Sequence, residues 1–62
     1  MAAEKFPDVL VRAAKAAGSL LDLARLLQVE PRQVYLWIAE VEQPSAEQRH
    51  ELERRLSAVL AP

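Results

Sequence analysis

The sequence predicts an all-α fold, a compact four-helix domain, on three observations. Leu, Ala, Glu, Arg and Gln, all good helix formers, make up most of the chain. Apolar residues recur at spacings of three and four in four separate stretches, and no segment alternates apolar and polar residues as a half-buried strand does. Between those stretches stand the residues that stop and start helices: Gly18-Ser19, Glu30-Pro31 and Pro44-Ser45.

Taken in order, residues 1–5 read as a frayed tail. The first helix is expected over about residues 7–17, with Phe6, Val9, Leu10, Ala13 and Ala17 facing inward and Ala14 or Ala16 at the edge. Gly18 ends it, because glycine takes the left-handed position after a helix without strain, and Lys15 puts a cation in the last turn, where the helix dipole favours one. The second helix is expected over about residues 20–27. Ser19 caps it, Asp22 follows three residues later, and Leu20, Leu23, Ala24 and Leu27 form one face. Gln28-Val29-Glu30 is long enough only for a turn. Pro31 opens the third helix, expected over about residues 31–40, since a first-turn proline loses no hydrogen bond and has a helical φ already. Val34, Trp37 and Ile38 turn back onto the second helix, and Ala24 is small where the two helices approach. Pro44 blocks helix at the residue before it. Ser45 then caps the fourth helix, about residues 46–60, with Gln48 completing a capping box and Leu52, Leu56, Val59 and Leu60 as its apolar stripe.

Size and composition bound the function. With 62 residues, 52% of them hydrophobic, the chain is expected to be one folded domain over residues 1–62, too small for a deep cleft. It contains no cysteine, so disulfides and thiolate metal sites are excluded. No apolar run approaches the roughly 20 residues that span a membrane, and no signal-peptide core is visible, so the expected location is the cytoplasm. One glycine cannot make a phosphate-binding glycine-rich loop. The single histidine, His50, reads as a surface residue, and no serine has a His/Asp constellation around it. An enzyme is not expected, and neither a metal nor a cofactor is. The net charge of −1 predicts weak non-specific affinity for nucleic acid, because counterion release needs several Lys or Arg at the phosphates. Arg49, Arg54 and Arg55 are interspersed with Glu47, Glu51 and Glu53, which reads as a self-compensated surface rather than a phosphate-binding stripe; Glu51 and Arg55 form an i, i+4 pair.

Two short helices joined by a tight turn match a helix-turn-helix, the unit that lays its second helix in the DNA major groove. The segment from Leu23 to Ile38 resembles that unit in small Cro-type and related phage-repressor-like regulators, where a Leu-Ala-x-x-Leu-Gly-Val-Ser-Pro-x-x-Val-x-x-Trp run is typical. Leu23-Ala24, Leu27, Val29, Pro31, Val34 and Trp37 stand in register with it, and the resemblance covers about Gly18 to Leu56. It implies a small DNA-binding transcription regulator, such as a repressor, that reads double-stranded DNA with the third helix. The implied base contacts are Arg32, Gln33, Tyr35 and Leu36. Arg suits guanine and Gln suits adenine, each in bidentate fashion. The implied backbone contacts are Ser19, Lys15, Arg12, Arg25 and Gln28. A homodimer would reach two half-sites about one turn of DNA apart.

The chain departs from the family pattern at several positions. Gln28 stands for the turn glycine, where a left-handed residue costs about 1 kcal/mol. Glu30 stands for the Ser or Thr cap, Leu20 for a phosphate-binding glutamine, and Leu36 for a polar reader. Glu40 and Glu42 bring anions to the far end of the third helix. These departures favour a second reading, a protein-interaction module on the same fold, its partner held by Tyr35 and Leu36 together with Leu21 and Leu26.

Overall fold

The structure, a computed structural model, describes residues 4–61. Four helices follow one another: α1 (Phe6–Ala17), α2 (Leu20–Leu27), α3 (Pro31–Ile38) and α4 (Ala46–Leu60). There is no strand among the described residues. Of the expected tail, residues 1–3 lie outside the described residues; Glu4 and Lys5 are non-helical and lead directly into α1.

The punctuation acts as its chemistry requires. Gly18, at φ 112°, ends α1 and donates its N–H to the Ala14 carbonyl. Ser19 and Ser45 cap α2 and α4: their Oγ atoms accept from the N–H groups of Asp22 at 3.1 Å and Gln48 at 3.2 Å. Pro31 is the first residue of α3, as expected. Helix α1 begins at Phe6, one residue before the expected start.

Helix α3 is shorter than the sequence predicts, ending at Ile38 instead of residue 40. Glu40 takes a left-handed conformation, φ 61°, and its N–H turns back to the Trp37 carbonyl at 3.2 Å. The Val41 N–H reaches the Leu36 carbonyl at 3.0 Å. These two bonds are the Schellman closure, which satisfies the last carbonyls of a helix. The same closure ends α2: Gln28, at φ 59°, donates to Arg25 at 3.1 Å, and Val29 donates to Ala24 at 3.0 Å. Neither left-handed position is a glycine, so both turns carry backbone strain.

Helices α1 and α2 pack on each other and on both remaining helices, whereas α3 and α4 do not pack on each other. One core results, built from Phe6, Leu10 and Ala13 of α1, Leu23, Ala24 and Leu27 of α2, Val34 and Trp37 of α3, and Leu52 and Leu56 of α4. Each helix alone is too short to be stable, so this shared burial is what holds them. Val9, Leu20, Ile38, Val59 and Leu60, all expected on inward faces, pack against the core half-buried, as does Ala14; Ala16 is exposed. Trp37 is 2% exposed, and its ring meets Phe6 at 6.3 Å between centroids with a tilt of 58°. The Arg49 guanidinium sits 5.2 Å over the other aromatic ring, that of Phe6, which ties the start of α4 to the start of α1.

The charged face of α4 compensates itself, as its sequence indicates. Arg49 pairs with Glu53 at 2.9 Å, and Arg54 and Arg55 each pair with Glu51 at 3.4 Å. Arg55 has a second task that its spacing does not announce. It is half-buried, and its Nη1 donates to the Leu27 carbonyl at 2.8 Å and to Gln28 Oε1 at 3.3 Å. No helix among the described residues is long and apolar enough to cross a membrane.

Candidate nucleic-acid interface

Because α4 lies elsewhere, the outer side of α3 is covered by no other helix. Val34 and Trp37 point inward, which leaves Arg32 and Tyr35 outward, three residues apart on the same face. Tyr35 is 62% exposed. Arg32 is exposed and forms no ion pair among the described residues.

Gln33 and Leu36 sit differently. Both are half-buried, on the flank of α3 toward the returning chain. Gln33 Nε2 donates to Glu42 Oε1 at 3.2 Å. The Leu36 carbonyl accepts from both Val41 at 3.0 Å and Glu42 at 3.4 Å, so the chain after the turn lies back along this flank. The Leu36 side chain is therefore less open than that of Tyr35.

The five expected backbone contacts do not form one cluster. Lys15 and Ser19 line a shallow apolar depression of about 420 Å³ with Val11, Leu20, Tyr35 and Ile38, so these two stand close to the outward face of α3. Lys15 is exposed and unpaired among the described residues. The Ser19 hydroxyl is doubly used: it accepts the Asp22 N–H and donates to Asp22 Oδ2 at 3.0 Å. The Asp22 carboxylate thereby occupies the first turn of α2, where an incoming phosphate would otherwise meet free N–H groups. Arg12 is held by Glu4 at 2.7 Å. Arg25 is exposed in the last turn of α2 and unpaired among the described residues. Gln28 follows the other end of α2 from Ser19, and its side-chain oxygen accepts from Arg55.

Electrostatically the surface is mixed. Lys15, Arg25 and Arg32 are the cations on these elements with no carboxylate within 4.0 Å among the described residues. Against them stand Asp22 at the start of α2, Glu30 as the N-cap of α3, and Glu40 and Glu42 beyond its end. Of the features that sequence reasoning missed, the Gln33–Glu42 bond depends on the early end of α3 and the Arg55 link on the approach of α4 to α2; neither has a local signal. Comparison of the chain with protein-family models, with curated proteins and with solved structures returned no match.

Proposed function

We propose that the chain is a small sequence-specific DNA-binding regulator whose α3 enters the major groove. The observation that carries this reading is the outer face of α3, where Arg32 and Tyr35 project with no helix over them. Arg32 suits a guanine edge, and Tyr35 suits a thymine methyl or a phosphate. Lys15 and Arg25 add positive charge from α1 and α2 that no internal ion pair neutralises among the described residues. Three such cations give one copy only weak binding, so a two-fold pair on adjacent half-sites is part of the proposal. The test is selection from randomised duplex DNA followed by affinity measurement on the selected and on scrambled sequences. Enrichment of one sequence supports the reading, and recovery of an unselected pool contradicts it.

A second reading is favoured by the depression beside Tyr35. Its wall is Val11, Ala14, Leu20 and Ile38, an apolar lining better suited to a protein side chain than to a sugar-phosphate backbone. On this reading the carboxylates of Asp22 at the start of α2 and of Glu30, Glu40 and Glu42 at the two ends of α3 repel DNA, and the surface holds a protein partner instead. Failure to bind DNA even at low salt, with Tyr35→Ala abolishing capture of a defined partner, is its signature.

A further inference from the structure

Resting on the DNA reading, we propose that Glu42 is a positioning residue for base recognition: it fixes the amide of Gln33 so that its reading edge presents to adenine. Three observations converge on it. Gln33 Nε2 donates to Glu42 Oε1 at 3.2 Å, and this is the one side-chain hydrogen bond either residue makes among the described residues. Gln33 is half-buried on the flank of α3 that faces the returning chain, while Arg32 and Tyr35 on the neighbouring face are exposed. Glu42 is held by backbone as well as by side chain: the left-handed Glu40 reverses the chain, and the Glu42 N–H returns to the Leu36 carbonyl at 3.4 Å.

The chemistry follows from donor and acceptor counting. A side-chain amide has one oxygen and two N–H groups, and a free one presents either orientation to a base. A carboxylate only accepts, so it binds the NH₂ side and repels the oxygen. One N–H is thereby used, and Oε1 with the other N–H remains. That pair matches adenine, whose N6 amino group donates and whose N7 accepts. Flipped, the same amide would set its oxygen against the Glu42 carboxylate. Glu42 therefore selects one of two orientations, at the expense of an anion near the phosphates.

Charge and positioning separate by substitution. E40Q removes a neighbouring charge and leaves the Gln33–Glu42 bond in place; E42A removes a charge and the bond together. Each variant and the wild type are put through selection from randomised duplex DNA, and the Gln33 side-chain amide is followed by NMR in the free protein. Both variants are expected to bind DNA more tightly at low salt. Wild type and E40Q are expected to prefer adenine at one position by about fivefold or more, the lower end for a bidentate contact. E42A is expected to lose most of that preference, and Q33A to lose it at the same position. In the free protein the Gln33 amide resonance should move in E42A and change little in E40Q. Glu40 and Glu42 are exposed, so E40Q and E42A should melt as the wild type does. An E42A chain that selects the same base as strongly as wild type overturns the inference and leaves the DNA reading standing. A wild type that selects no sequence overturns both, whatever the NMR spectrum shows of the bond itself.

Discussion

Arg55 donates from Nη1 to the carbonyl of Leu27 at 2.8 Å, joining the middle of α4 to the last residue of α2. That carbonyl is among the four at the end of a helix that have no partner within it, and the guanidinium meets it where the helix dipole is negative. The same group holds Gln28, the left-handed residue on which the chain turns toward α3. Helix α4 is thus bonded to the turn that leads into α3, although the two helices do not pack on each other. Arg55→Ala should cost about 1.5–3 kcal/mol, the range for a hydrogen bond to a charged group. Arg55→Lys should recover part of it, since an ammonium reaches one acceptor more easily than two. Urea unfolding of the three proteins checks this; equal midpoints for wild type and Arg55→Ala would show the link to be idle.

Trp37 closes the core where α3 meets α1. Deleting so large a buried ring costs about 3–5 kcal/mol. A chain of this length has a total stability of only about 3–9 kcal/mol. Trp37→Ala should therefore be largely unfolded or melt far below the wild type, as read by circular dichroism because the substitution removes the sole tryptophan. An unchanged melting temperature would contradict the placement of Trp37 in the core.

The two left-handed turns make a matched pair. Glu40 has no side-chain hydrogen bond among the described residues, so Glu40→Gly should relieve strain and stabilise the fold by about 0.5–1 kcal/mol. Gln28→Gly should gain less, because it also removes an acceptor from Arg55. Gly18→Ala should lose stability, since its φ of 112° disfavours any Cβ and the added atom would lie 3.2 Å from Asp22 Oδ2. Thermal melts rank the three; Gly18→Ala as the most stable would reverse the argument.

Arg32 is the cation that the DNA reading places nearest the bases. Arg32→Ala should leave the melting curve unchanged, because the side chain is exposed and unpaired, and should cost about 1–3 kcal/mol of specific affinity. Competition between selected and scrambled duplexes measures that loss. A variant retaining full discrimination would remove Arg32 from the reader.

Most of the fold was legible in the sequence because its signals are local. Gly18-Ser19, Pro31 and Ser45 each act within one helical turn, and all of them mark the observed boundaries. The apolar spacings picked out the residues now in the core. The early end of α3 was not legible, because glutamate carries no preference for the left-handed position that Glu40 adopts. The candidate surface was legible only as a set of residue types. Arg32 and Tyr35 do stand outward, but Gln33, Arg12 and Gln28 each bond a neighbour that sequence spacing could not reveal: Glu42, Glu4 and Arg55. Long-range side-chain contacts decide which polar groups remain free, and these depend on how the helices pack.

Whether α3 reads DNA is decided by fluorescence anisotropy of a labelled selected duplex and a scrambled one across a salt series. Each phosphate neutralised contributes about −0.9 to the slope of log affinity against log salt, so Lys15 and Arg25, the unpaired cations that the DNA reading sets at phosphates, give a slope of about −2 per chain. The expected result is that slope, doubled for a two-copy complex, and tighter binding to the selected duplex at every salt. No binding at low salt, or equal binding to both duplexes, would contradict it and turn attention to the apolar depression beside Tyr35 as a protein-docking surface.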